Sequence, residues 1–259
     1  MLSKITNQLQ REKPLKLMTH VVAGYPDMAT TVQTVKLMEQ CGVDIIEIQL
    51  PFTDPIADGP TILKACQKSL DKGTTVNHCF DLLDALQDVH IPLLFMTYFN
   101  IPYRFGIEKF INLAAKKKLC GLIVPDIPFD EPEGSFFKKT VAAGLAPVMV
   151  VSPTTAKKRL ETITRHGRGF IYTTLKTGIT GASASISREG LDFINYLKKK
   201  SSLPIAAGFG ISTTEHLQLL KGKIDMAIIG SKLINDFNKG GLSAVAAFLK
   251  SCRRVCEAR

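Results

Sequence analysis

The chain has 259 residues, 45% of them hydrophobic and 22% charged, enough apolar material for a sizeable core, which excludes disorder as the dominant state. No run reaches the ~18 apolar residues that span a bilayer, and residues 1–16 hold no continuous apolar stretch, so a soluble cytoplasmic protein away from membranes is expected. The formal charge is +10, but its clusters, Lys116 to Lys118 and Lys198 to Lys200, fall at the ends of predicted helices, where cations complement the helix dipole, so no nucleic-acid partner is expected.

In chain order, residues 2–11 read as a leading helix. Short β-rich runs follow at 17–24, 44–50, 92–98, 121–127, 146–152, 169–175, 204–210 and 226–231, eight in all. They are nearly continuous in apolar residues, the pattern of parallel strands covered on both faces. The intervals read as helices. Between the second and third runs lie two of them, 60–72 and 75–88, separated by Gly73, so one is extra. Ser212 with Glu215 three residues on predicts a capping box, with Gly222 as the breaker after that helix, and 242–259 reads as an amphipathic terminal helix.

Eight βα units without a linker or a composition shift point to one domain over 1–259, a TIM (β/α)8 barrel with extra helices at the N-terminus and after strand 2. An open doubly wound sheet is the alternative. It lacks its dinucleotide fingerprint, since Ala23-Gly24-Tyr25-Pro26-Asp27 follows the first strand.

The six cysteines form no CxxC pair and sit mostly among aliphatic residues, which suits reduced, buried thiols rather than disulfides or zinc. The five histidines show no HxH or HxxxH spacing, so no metal site is expected; His20 is a possible pocket wall, and the other four read as surface or packing residues.

Small residues gather after the last three strands: Gly178 to Gly181, Gly208 to Gly210, and Gly230-Ser231. Each glycine alone fits a tight turn. Three clusters on consecutive strand ends favour a phosphate cradle, where main-chain N–H groups and helix N-termini meet an anion.

The second βα unit carries the carboxylates. Alternation places Ile45, Glu47 and Gln49 on one strand face and Ile46, Ile48 and Leu50 on the other. If the second set meets the covering helices, Glu47 points into the barrel mouth, where desolvation favours a general acid–base role. Asp58, just before Gly59-Pro60, reads either as a helix cap or as a carboxylate at the pocket rim; Asp54 fits a turn.

This segment, Pro51-Phe-Thr-Asp-Pro-Ile-Ala-Asp-Gly-Pro60, together with Gly24-Tyr-Pro26, Met96-Thr-Tyr98, Val124-Pro-Asp126-Ile-Pro128, Tyr172 and the glycine loops, resembles the alpha subunit of tryptophan synthase nearly end to end. The resemblance implies a lyase of tryptophan biosynthesis that cleaves indole-3-glycerol phosphate to indole and glyceraldehyde 3-phosphate, with no cofactor in this chain. It implies Glu47 as acid and base, Asp58 as acceptor of the indole N–H, Tyr172 as an active-site tyrosine, and Gly181, Gly210, Gly230 and Ser231 as phosphate ligands. Residues 176–190 correspond to a lid whose Thr180 contacts Asp58 when closed. A beta subunit carrying pyridoxal phosphate is implied as partner in an αββα heterotetramer, which this chain activates allosterically; Thr53, Asp54, the loop 52–58 and the segment from Asn100 would face it.

The chain departs from the family at several positions. Gln49 replaces glycine, Phe170 a common tyrosine and His20 an aromatic pocket residue, and Leu175-Lys176 stands for Ser-Arg. Gln49 shares a face with Glu47 and is expected to crowd the indole pocket. That defines the alternative reading, a weakly active or inactive lyase that mainly binds ligand and activates the beta subunit. A sugar-phosphate isomerase or epimerase, the third reading, explains the phosphate loops but not residues 51–60.

Overall fold

The computed structural model describes Ile5, Gln8, Leu9 and residues 15–128, 136–174, 188–208 and 210–258. Eight parallel strands close into a barrel in sequential order: β1 (Lys16–Val22), β2 (Ile45–Gln49), β3 (Leu93–Met96), β4 (Gly121–Ile123), β5 (Ala146–Val151), β6 (Ile171–Thr174), β7 (Ile205–Gly208) and β8 (Met226–Ile229). Helices follow the strands: α1 (Met28–Gln40), α2 (Pro60–Asp71), α3 (Val76–Asp84), α4 (Asn100–Phe105), α5 (Ile107–Lys116), α6 (Phe136–Ala142), α7 (Lys157–His166), α8 (Arg188–Lys200), α9 (Thr214–Leu220) and α10 (Ser231–Glu257). The TIM barrel read from the apolar runs is therefore the observed architecture. The extra helix after strand 2 is present, and of the leading helix Ile5, Gln8 and Leu9 are described and helical.

Alternation along each strand divides the apolar residues into two layers. Val21, Ile46, Ile48, Phe95, Leu122 and Ala207 face outward into a layer shared with the helices. Met18, Ile45, Leu94, Ile123, Val148, Phe170, Tyr172, Ala206 and Ile228 fill the barrel itself. Ile5, fully buried, joins that inner cluster. Phe170, where the family resemblance implies a tyrosine, is fully buried in the same packing.

Local signals place the helix ends. Pro60 opens α2, where its fixed φ suits the first turn, and Thr75 caps α3 through a reciprocal box with His78. Two expectations need correction. The helix predicted over 75–88 stops at Asp84, and residues 85–88 turn toward β3. The cap of α9 is Thr213 rather than Ser212: its hydroxyl accepts from the N–H of His216, so Glu215 does not close a box. A kink at Gly240 and Gly241 divides α10, which explains why its second half reads alone as a terminal helix.

The closed end opposite the strand C-termini is tied by a buried ion pair. Arg253 on α10 donates from Nη1 to Asp44 Oδ2 at 2.8 Å and to the Gly42 carbonyl, and from Nη2 to the Leu15 carbonyl. Asp44 also accepts from the Leu17 N–H and the Gln8 amide, so its charge is solvated by protein donors. All six cysteines are buried and unpaired by disulfides, as their aliphatic neighbours suggested.

Candidate active site

The carboxylate of Glu47 sits where the strand pattern puts it. β2 pairs in register with β1 so that Glu47 lies opposite His20, and with β3 so that it lies opposite Leu94. Ile46 and Ile48 turn to the helical layer, which leaves Glu47 facing inward at 3% exposure. His20 Nδ1 stands 3.5 Å from Glu47 Oε1. Burial alone would lower the pKa of the His20 ring, but the hydrogen bond and charge of Glu47, with the charge of Asp58 behind it, raise it above 6.5. The second carboxyl oxygen, Glu47 Oε2, is buried with no hydrogen-bond partner among the described residues.

Asp58 is not a helix cap. Gly59 occupies the N-cap position of α2, with no side-chain cap bond, so the Asp58 side chain is released toward the barrel mouth. It is 8% exposed and held through one oxygen: Oδ2 accepts from Gln49 Nε2 at 2.6 Å and from the Tyr98 hydroxyl at 3.0 Å. The same hydroxyl accepts from the Ala57 N–H, fixing the loop that carries Asp58. Burial first, then the charge of Asp58, pushes the phenol of Tyr98 well above its ordinary range, so it stays a donor.

Gln49 thus overturns the crowding expected from its strand face. It is fully buried, and its amide turns toward Asp58 and the Cys66 sulfur rather than lining the cavity. Tyr98 is the residue the sequence reading missed. The signal was available, since Leu94, Met96 and Tyr98 alternate onto the inner face and a buried tyrosine needs a partner for its hydroxyl.

Glu47 and Asp58 line one cavity at the C-terminal end of the strands, the end where barrels of this kind place their chemistry. His20, Tyr172, Gly210, Gly230 and Ser231 share it, and Met96, Ile123, Val150 and Ile228 give it an apolar floor. Tyr172 is raised far above an ordinary phenol, first by burial and then by the nearby charges of Glu47 and Asp58. Gly208 makes room for it, because a methyl group there would stand 3.0 Å from the Tyr172 hydroxyl.

After β8, which flanks β1 on the side away from β2, Gly230 is the N-cap of α10 without a side-chain cap bond, and Ser231 begins the helix. The positive end of the first half of α10 therefore opens on the cavity, with Gly210, at φ +109°, lining it too. A partly apolar cavity lined by two carboxylates and a helix N-terminus suits an aromatic ligand with an anionic tail. Thr180, Gly181 and the remainder of 175–187 lie outside the described residues. Among those described, no group of three His, Cys, Asp or Glu side chains converges in a metal-binding set, and no helix is long and apolar enough to cross a membrane.

Thr53, Asp54 and Asn100 do not line the cavity; the first two are exposed on the loop after β2 and Asn100 at the start of α4, after β3. Ile56 and Tyr103, at 71% and 63% exposure, stand on the same two segments.

Comparison with known proteins agrees with this geometry. The family described as "Tryptophan synthase alpha chain" matches residues 6–257. The tryptophan synthase alpha chain of Syntrophotalea carbinolica is 41% identical over 250 residues, covering 96% of this chain and 98% of that one. That of Desulfotalea psychrophila is 40% identical over 253 residues, covering 97% and 99%. Among solved structures, the tryptophan synthase alpha chain of Legionella pneumophila superposes with a TM-score of 0.87 at 26% identity, covering 98% of this chain and 97% of that one. A closed eight-stranded barrel, two carboxylates converging on its mouth and full-length similarity to these relatives lead to one assignment: the chain belongs to the tryptophan synthase alpha chain family.

Proposed function

We propose that the chain cleaves indole-3-glycerol phosphate to indole and glyceraldehyde 3-phosphate, with Glu47 and Asp58 as its catalytic pair. The observation that carries this reading is their presence in one cavity with the Gly230-Ser231 helix terminus. Indole leaves poorly until the ring carbon at the scissile bond becomes tetrahedral. Glu47 delivers a proton to that carbon, and positive charge then builds on the ring nitrogen. Asp58 accepts the ring N–H with Oδ1, while Gln49 and Tyr98 donate to Oδ2. As the carbon–carbon bond breaks, its electron pair returns to the ring and the Glu47 carboxylate takes the glycerol hydroxyl proton. One proton enters and one leaves, so the carboxyl group is restored.

Gly210, Gly230 and Ser231 serve as phosphate ligands in this reading and Tyr172 walls the cavity; the phosphate role of Gly181 and the Asp58 contact of Thr180, which the resemblance implies, fall outside the described residues. The partner is a tryptophan synthase beta subunit, which carries the pyridoxal phosphate, in a cytoplasmic αββα assembly; this chain needs no cofactor of its own. The exposed Ile56 and Tyr103 beside Thr53, Asp54 and Asn100 support a docking face on the mouth of the barrel. The purified chain, given indole-3-glycerol phosphate with and without a beta subunit, is expected to release indole in both cases and faster in the complex. No indole in either case, with stimulated use of indole and serine by the partner, would replace catalysis with a purely regulatory role.

A further inference from the structure

His20 meets Glu47 by construction of the sheet. The β1–β2 register sets the two residues side by side, both side chains face the barrel mouth, and both are nearly excluded from water, at 5% and 3% exposure. The ring is also backed by the residue that follows the neighbouring strand β8. A methyl group at Gly230 would lie 3.3 Å from the His20 Cβ, so the glycine lets the ring occupy this place. Glu47 Oε1 faces the ring at 3.5 Å, whereas Glu47 Oε2 and His20 Nε2 have no hydrogen-bond partner among the described residues. Two ionisable groups so placed, away from water, hold their protons jointly.

We propose that His20 and Glu47 form a proton-sharing pair, in which the imidazole stores at Nδ1 the proton that Glu47 delivers to the indole ring. This rests on the catalytic role proposed for Glu47. In the resting pair one proton is shared between an imidazolium beside a carboxylate and a neutral imidazole beside a carboxylic acid. When the ring carbon is protonated, that one proton passes from Nδ1 through the Glu47 carboxyl group to carbon, leaving a neutral ring and a carboxylate. The carboxylate then takes the hydroxyl proton, and the pair regains its starting charge. The proton count balances without any other donor.

The groups that bias this pair are few. Glu47 comes from β2, Asp58 from the loop after it and the Tyr172 hydroxyl from β6, while Gly230 and Ser231 on the β8 side carry no titratable side chain. The raised His20 value follows from the same neighbours. Removing the ring takes away one of the two places the proton can sit, so indole release is expected to fail at lower pH without it.

The test compares the pH profile of kcat/KM for indole release in the wild-type chain, His20→Gln and His20→Phe. The alkaline limb is expected to move down by about one pH unit in both variants. A changed KM with an unmoved alkaline limb overturns the proposal and leaves His20 as a pocket wall. Independently of activity, the His20 ring is titrated by NMR in the wild type and in Glu47→Gln. Its pKa is expected above 6.5 in the first and lower in the second; equal values overturn the pairing. If Glu47→Gln still releases indole at the wild-type rate, the catalytic reading of Glu47 fails, whereas the NMR comparison still decides whether the two groups share a proton.

Discussion

Gln49 donates its amide to Asp58 Oδ2 at 2.6 Å, so the residue read as a departure from the family holds one of the two carboxylates of the cavity. Strand β2 thereby supplies one carboxyl group and steadies the other: Glu47 directly, Asp58 through a neighbour two residues along.

Removing that neighbour is expected to slow the enzyme. Gln49→Gly or Gln49→Ala leaves Asp58 with one described donor, Tyr98, and a less fixed orientation. A hydrogen bond to a charged group is worth about 1.5–3 kcal/mol, so kcat/KM for indole release should fall about tenfold or more. Turnover that rises instead would return Gln49 to the role of an obstruction in the indole pocket.

Tyr98→Phe removes the other donor on the same oxygen and the acceptor for the Ala57 N–H. A comparable loss in kcat/KM is expected. Since Gln49 and Tyr98 act on one atom, the double variant should depart from the product of the single losses; strict multiplicativity would show that they act separately.

The His20 ion pair also makes stability depend on pH. Its folded pKa lies above 6.5, so its contribution is complete below 6.5 and lost as pH rises through the raised value. Urea titrations of wild type and His20→Gln between about pH 6 and 9 should show the wild-type advantage shrinking as pH rises. A difference independent of pH would mean that the ring's charge does not couple to folding.

Arg253→Ala takes the guanidinium away from the fully buried Asp44, which keeps the Leu17 N–H and the Gln8 amide. Breaking a buried pair in this way costs about 3–5 kcal/mol, which corresponds to a Tm lower by roughly 10 °C for a chain of this size. A change of only one or two degrees would mark the pair as dispensable.

Burial pushes the thiols of Cys66 and Cys79 up to about 12. Alkylation at neutral pH should therefore leave both unmodified in the folded protein and proceed only with unfolding, as peptide mapping by mass spectrometry would show. Rapid labelling of Cys66 under native conditions would mean that the floor beneath Asp58 opens to solvent.

What could be read without coordinates follows the range over which each signal acts. The strands, the barrel and the inward turn of Glu47 rest on period-two alternation, which is local and survives tertiary context. The contact of Gln49 with Asp58 depends on the path of the loop after β2, and spacing in the chain does not specify that path. The cap of α9 shows a similar limit: Ser212 and Thr213 are both suitable, and which one takes the position is settled by where β7 releases the chain. Tyr98 lay in a recognised motif, but its bond to Asp58 joins residues 40 positions apart.

The central claim is that Glu47 performs the proton transfers of indole-3-glycerol phosphate cleavage. Glu47→Gln preserves size and hydrogen-bonding capacity while removing the exchangeable proton. Single-turnover release of indole by this variant, saturated with substrate and bound to a beta subunit, should fall about a thousandfold below wild type. Release within about tenfold of wild type would contradict the account.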